Sequence, residues 1–256
     1  MRVATWNINS LRVRLAHVTQ WLEREQPDVL ALQETKLRDE DFPAEAFAEI
    51  GYQVVFSGQA AYNGVAIASR RPASNVLVDL EGFEDPARRV LAATFGELRV
   101  FNVYVPNGQR VGSEKYAYKL EWLAALREQL ARELERHAQL VLLGDFNVAP
   151  EDRDVHDPVV WEGKIMCSEP ERGALAAIRG LGLHDAFRLF EQPPRSFTWW
   201  DYRAGAFRRN LGLRIDLILL SEQLRERCTA CRIDAAPRRW EKPSDHVPVI
   251  AELRLP

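Results

Sequence analysis

Carboxylates, amides and one imidazole stand at the ends of apolar runs in this sequence. Asn7 and Asn9 follow "ATW", Glu34 closes "LALQE", Tyr104 and Asn107 fall in "NVYVPNG", and Asp145 and Asn147 close "LLGDFN". Asp216 interrupts "RIDLILL", and the adjacent Asp245 and His246 precede the last apolar run, "VPVIAEL". Glu34, Asp145 and Asp245 offer carboxylate oxygens, and Asn7 and Asn147 add carbonyl oxygens. No cysteine or second histidine stands at metal-ligand spacing beside them. Hard oxygen donors of this kind suit Mg2+ or Mn2+ rather than zinc. A divalent cation beside a histidine fits hydrolysis of a phosphodiester, in which the developing charge on phosphate is neutralised while a base orients the attacking water. Asp216 admits two readings. It either faces solvent from an alternating strand, or pairs with His246 and fixes the imidazole tautomer; the neighbouring Asp245 favours the pairing.

The elements that must position these groups are short. Segments 2–8, 28–34, 52–57, 64–69, 89–95, 98–105, 139–146, 214–220 and 247–253 are β-branched or aromatic, bounded by Gly, Pro, Asn or Asp, and read as strands. Many are apolar throughout, as expected of strands covered on both faces. Helical spacing is predicted over 10–26, with Leu11, Leu15, Val18 and Leu22 on one face and Ser10 as cap. It recurs over 113–137 with Ser113 as cap, and over 171–182, where Gly180 and Gly182 mark the stop. Each half of the chain repeats a strand, a helix and a strand ending in an acid. Sheets with helices outside them, in one domain over 1–256, are expected.

Bulk properties narrow the setting. The chain has 256 residues, 46% of them apolar, with a net charge of −3, which argues against a protein whose main task is to coat nucleic acid. It leaves room for an enzyme that grips a few phosphates. Basic residues gather late, at Arg203, Arg208, Arg209 and Arg214 and at Arg238, Arg239 and Lys242. No apolar stretch approaches the ~20 residues of a membrane span, and the first residues lack the apolar core of a signal peptide. The three cysteines, Cys167, Cys228 and Cys231, fit a reducing, cytoplasmic compartment. "CTAC" lacks the second ligand pair of a zinc ribbon and reads as free thiols.

The blocks "TWNINSLR", "LALQETK", "NGVAI", "NVYVPNG", "LLGDFNVAP", "FTWWDYR", "NLGLRIDLILLS" and "KPSDHVPV" occur in this order between Arg2 and Leu253. As a set the chain resembles the exonuclease III family of DNA-repair nucleases, within the endonuclease/exonuclease/phosphatase superfamily, and its bacterial branch in particular. The resemblance implies an α/β four-layer sandwich of two packed β-sheets flanked by helices. It implies a magnesium-dependent phosphodiesterase that acts on double-stranded DNA, cutting 5′ of abasic sites or trimming blocked 3′ ends, as a monomer. Asn7, Glu34 and Asp245 match metal ligands. Asp145 matches the group that activates water, Asn147 a stabiliser of the transition state, Tyr104 a phosphate contact, and His246 a phosphate contact oriented by Asp216. Whether Asp145 or His246 is the general base stays open, as does a second metal position on Asp145 and Asn147. Asn107, Lys115 and Arg203 are candidates for DNA phosphates. Trp199, Leu213 and Ile215 match the wall of a pocket for a base-free sugar, whereas Trp200 is expected in the core. Two features depart from or complicate the pattern. Asn9 stands where some relatives carry aspartate, and Met166, in the loop 161–169, would crowd an extrahelical abasic site if that loop approaches DNA. A catalytically silent binding protein and a phosphatase of small phosphoesters are the competing readings.

Overall fold

The structure, a computed structural model, describes residues 1–255. Twelve strands form two six-stranded sheets. The first sheet contains β1 (Arg2–Asn7), β2 (Val29–Gln33), β3 (Gln53–Ser57), β4 (Val65–Ser69), β11 (Cys228–Ile233) and β12 (Val249–Leu253), in the order β11-β12-β1-β2-β4-β3. The second contains β5 (Ser74–Val78), β6 (Val90–Phe95), β7 (Leu98–Tyr104), β8 (Leu140–Asp145), β9 (Leu183–Asp185) and β10 (Asp216–Ser221), in the order β5-β6-β7-β8-β10-β9. Six α-helices accompany them: α1 (Leu11–Glu25), α2 (Ala44–Ala48), α3 (Glu114–Arg136), α4 (Pro158–Trp161), α5 (Glu169–Arg179) and α6 (Glu222–Arg225).

Side-chain parity builds four layers. In a strand, alternate residues face opposite sides. Val3, Val29, Ala31, Val141, Leu143, Ile218 and Leu220 therefore fill the space between the sheets. Ala4, Trp6, Leu30 and Leu32 face outward onto Leu11, Val18 and Leu22 of α1 and Phe47 of α2. On the far side Leu140, Leu142 and Phe101 face Trp122, Leu126 and Leu130 of α3 and Leu175 and Ile178 of α5. The expected sandwich is thus observed, in the layer order helix, sheet, sheet, helix. The repeat seen in the sequence is real: β1-α1-β2 and β7-α3-β8 are each a parallel pair joined by a helix, one per sheet.

Three strands escaped the sequence reading. β5, β9 and β11 lie at sheet edges and lack continuous apolar runs, because an edge strand need not be buried on both faces. Ser113 caps α3 as expected, accepting from the Tyr116 N–H at 3.2 Å. Ser10 does not cap α1. It adopts φ 91°, and the first N–H groups turn instead to the carbonyls of Glu34 and Thr35. The third helix begins two residues earlier than predicted, closed by a capping box between Ser168 and Glu171.

Toward one rim the inward-facing positions change from apolar to polar. The series Val3–Thr5–Asn7, Ala31–Gln33, Val100–Asn102–Tyr104, Leu143–Asp145 and Ile218–Asp216 each make this change. One step below the rim, Asn102 Nδ2 crosses between the sheets to the carbonyls of Leu32 and Ala66, each at 2.9 Å. Gln33 Nε2 bonds Asn102 Oδ1 at 2.7 Å and Thr5 Oγ1 at 2.9 Å. This link fixes the sheet spacing beneath the polar rim. Asn102→Leu would strand a buried Gln33 donor and remove two cross-sheet bonds, a loss of roughly 2–4 kcal/mol in urea unfolding. An unchanged midpoint would show that the link carries no such load.

Candidate active site

Register brings the second sheet's polar groups into one row. Tyr104 pairs with Asp145 across β7–β8, and Asp145 with Asp216 across β8–β10. Gly144, at φ 145°, is required here: a Cβ would lie 1.9 Å from the Val103 carbonyl oxygen. The first sheet supplies the facing groups. Asn7 ends β1 beside Gln33, and Glu34 follows in the left-handed region at φ 54°. Asp245 and His246 precede β12. Their loop is tied down by Ser244 Oγ to the Asn7 carbonyl (2.8 Å), Trp200 N–H to the Asp245 carbonyl (3.0 Å) and Val247 N–H to the Thr198 carbonyl (2.9 Å).

The two half-sites meet. Asn7 Nδ2 donates to Glu34 Oε1 at 2.9 Å and to Asp145 Oδ2 at 2.8 Å. His246 Nδ1 lies 2.9 and 3.1 Å from the two oxygens of Asp216, and its Nε2 is 3.7 Å from Asp145 Oδ2. Asp216 is 1% exposed and its N–H is held by Thr198 Oγ1, so the paired reading of this aspartate holds and the solvent-facing one does not. Asn147, also left-handed at φ 48°, directs its N–H to Asp145 Oδ1 (2.9 Å) and its Nδ2 to the Val105 carbonyl (3.0 Å). Asn107 Nδ2 reaches Asn147 Oδ1 at 3.1 Å. Arg89 stacks over the Tyr104 ring, 4.7 Å from its centroid.

Electrostatics follow from burial and crowding. Burial pushes the Asp145 carboxyl up to about 7; His246 opposes this and Asp216 reinforces it. Burial works against charge on His246, but Asp216 and Asp145 outweigh it and raise the imidazole to about 10. Burial and the neighbouring Glu34 and Asp145 hold the Tyr104 hydroxyl well above its ordinary value. Burial also opposes charge on Asp245, yet His246 and N–H donors from Asn9 and Trp199 keep its carboxyl below the usual range.

A cation fits this donor set. Glu34, Asp145 and His246 each place a polar atom within 4.8 Å of the others; two of the three are carboxylates, and burial pushes that of Asp145 toward protonation. Two expected ligands sit differently. Asn7 turns its amide nitrogen, not its oxygen, toward Glu34 and Asp145. Asp245 is held outside the trio, with Oδ1 on Asn9 Nδ2 (2.8 Å) and Oδ2 on Trp199 Nε1 (3.0 Å). It still belongs to the same site, because Asn9 Oδ1 accepts from Lys36 Nζ (2.5 Å), which pairs with Glu34 Oε2 (2.8 Å). Asn9 therefore serves an ammonium and a carboxylate at once, which only an amide can do with opposite ends.

The remaining expectations divide. Lys115 is exposed and lines a cleft of about 370 Å³ with Asn107 and Arg89. Arg12, Lys36 and Arg38 line another of about 450 Å³ beside Glu34. Arg203 is exposed but forked onto Asp201 (2.6 and 2.9 Å). Leu213 and Ile215 do not wall an open pocket. They are 0% and 1% exposed, packed in an apolar cluster with Met166, Val155 and half-buried Trp199. Trp200 is core, as expected, and the cysteines are free thiols.

Sequence reading missed Arg14, Lys119 and Glu171. Arg14 feeds its guanidinium to the carbonyls of Ile8, Asn9, Lys242 and Pro243 and to the Tyr202 hydroxyl, clamping both loops that carry Asn9 and Asp245. The signal was present: Arg14 and Lys119 are charged residues on the apolar stripes of α1 and α3.

A profile of the Endonuclease/Exonuclease/phosphatase family matches residues 4–246. Exodeoxyribonuclease III of Haemophilus influenzae is 36% identical over 270 aligned residues, spanning 99% of this chain and all of that protein. Among solved structures, the 3′ phosphatase NExo from Neisseria, bound to a product DNA hairpin, is 46% identical with a TM-score of 0.98, covering 100% of both chains. An AP endonuclease from Archaeoglobus fulgidus is 42% identical with a TM-score of 0.96 over 100% of both chains. Among the described residues, no helix is long and apolar enough to cross a membrane.

Proposed function

Because the chain belongs to the endonuclease/exonuclease/phosphatase family, we propose that it is a DNA-repair phosphodiesterase that hydrolyses the P–O3′ bond of duplex DNA and leaves a 3′-hydroxyl. The observation that carries this reading is the complete row Tyr104–Asp145–Asp216 facing Glu34 and His246 across the two sheets. A silent binding protein would have no need of this full set. A phosphatase of small molecules would be better served by an enclosed pocket than by two basic clefts flanking the rim, which suit a strand laid across it.

Glu34, Asp145 and, with its amide turned over, Asn7 would hold Mg2+, with Asp245 and Asn9 orienting the shell; Mn2+ suits the same oxygens. A bound Mg2+ supplies neutralisation of the charge that builds on the phosphate. His246, committed at Nδ1 to Asp216, carries both protons and acts as a donor to a phosphate oxygen through Nε2. That leaves Asp145 to take the proton from the attacking water. Asn147 and Tyr104 donate to the equatorial oxygens, and the departing 3′ oxygen takes its proton from solvent water. Asn107 and Lys115 would hold flanking phosphates, with Arg203 available on release from Asp201. We place this activity in one domain, working as a monomer on cytoplasmic DNA. The test is a duplex ending in a 3′-phosphate. Phosphate release in Mg2+ should fall on the order of 10³-fold with chelator, and release that survives chelation would end the proposal.

Met166 favours 3′ ends over abasic sites. It sits at φ 70°, packed onto Leu213, Ile215 and Trp199, the residues matched to the wall of a base-free sugar pocket, where its side chain would compete with such a sugar. Met166→Gly clears that space in a backbone conformation glycine prefers. It should raise abasic incision relative to 3′-phosphate release by about tenfold or more; an unchanged ratio would remove Met166 as the determinant.

A further inference from the structure

A buried ion pair behind the site joins three loops that the reaction uses. Lys119 of α3 and Glu171 of α5 are both 0% exposed. Lys119 Nζ donates to the carbonyl of Asn147 (2.7 Å), to the carbonyl of Asn107 (3.2 Å) and to Glu171 Oε1 (2.5 Å). Its three N–H bonds are thereby all committed, and in divergent directions. Glu171 Oε1 also accepts from the Met166 N–H (3.0 Å), and Oε2 from the Ser168 N–H (3.1 Å) and hydroxyl (2.6 Å). Tyr116 of α3 closes the ring, its hydroxyl 2.7 Å from Ser168 Oγ. The Asn107 loop lies directly on the lysine stem: a Cβ on Gly108 would come within 3.0 Å of Lys119 Cδ.

An ion pair buried this deeply gains little stability over apolar residues of the same volume, because desolvation cancels most of the attraction. What it supplies is position. The loops it holds carry Asn107, Asn147 and Met166, which on the functional reading above contact a flanking phosphate, the transition state and the sugar side of the substrate. We infer that Lys119 and Glu171 are a positioning pair that fixes these three loops against one another, so that turnover depends on the pair although neither residue reaches substrate.

The inference rests on the proposed nuclease reading, and the experiment separates the two. Lys119→Met/Glu171→Leu replaces both partners by apolar side chains and leaves no unpaired charge. On a 3′-phosphate duplex in Mg2+, kcat should fall about 30-fold, as expected for a displacement of under an ångström at Asn147, with KM changed less than about threefold. Asn147→Ala should then cost several-fold less in the double variant than in the parent, since its side chain would already be misplaced. A purely structural pair would move the unfolding midpoint but not this coupling. Glu171→Gln keeps length and one acceptor, and should lower kcat about fivefold in the same direction; it decides the matter if the double variant does not fold. A kcat within twofold of the parent in a folded variant, or an equal cost of Asn147→Ala in both backgrounds, overturns the inference. If the parent itself releases no phosphate, the nuclease reading fails instead.

Discussion

Asp145→Asn is expected to lower turnover on a 3′-phosphate or abasic duplex by on the order of 10²–10⁴-fold, the range associated with losing a positioned base. Two features make the loss large. The carboxylate accepts from Asn147 N–H at Oδ1 and from Asn7 Nδ2 at Oδ2, so an amide must turn an N–H toward one of these donors. The substitution also removes the carboxylate, pushed up to about 7 by burial, that is needed both to hold a cation and to take a proton from water. The fold should survive, because side-chain volume hardly changes and a desolvated charge is removed. Single-turnover kinetics with circular dichroism on the same sample would check this. A folded variant with near-parent turnover would rule Asp145 out as base and ligand alike.

Arg214→Leu should destabilise the protein by roughly 3–5 kcal/mol, a large share of the ~5–15 kcal/mol typical of a folded domain. Arg214 is 1% exposed and bonds Asp154 through Nε (2.7 Å) and Asp185 through a terminal nitrogen (2.7 Å), with its guanidinium over Phe187. Leucine would leave two buried carboxylates without their shared cation, with Arg188 and the Glu151 N–H remaining on Asp154. Because β10 begins two residues later with Asp216, the damage should extend to the His246 pairing. Urea unfolding measures the first effect. Arg203→Ala is the control: it breaks an exposed pair with Asp201 and should leave the midpoint unchanged. Equal midpoints for Arg214→Leu and the parent would mean that the network contributes nothing.

The two variants mark different kinds of legibility. Asp145 was visible in the sequence because a carboxylate closes the apolar run "VLLG", at the end of a strand. The pairing of Asp216 with His246 could be framed as a choice between two readings. Arg214 was seen only as one of several late basic residues, and nothing local separates it from exposed Arg203 or Arg208. Leu213 and Ile215 show what the sequence left out. They were matched to a pocket wall, and in the fold they are buried beside Met166, which is distant in sequence. Lys119 and Glu171 were legible only as charges out of place on helix faces, and their common purpose required knowing that α3 and α5 lie side by side.

By itself the sequence determined which side chains stand at strand ends, that their oxygens suit a hard cation, and that sheets with outer helices carry them. Those properties are local, set by a period of two along each strand and by residue chemistry. Only the tertiary structure decided that Asn7 and His246 from the first sheet meet Asp145 of the second at 2.8 and 3.7 Å, with Glu34 beside Asn7, and that Asp245 stands just outside the trio of Glu34, Asp145 and His246. Register between strands and the spacing of the two sheets arise from contacts between residues as far apart as Trp6 and His246. Such contacts leave no periodic trace in the sequence, because each is satisfied by one side chain at one place in the folded molecule.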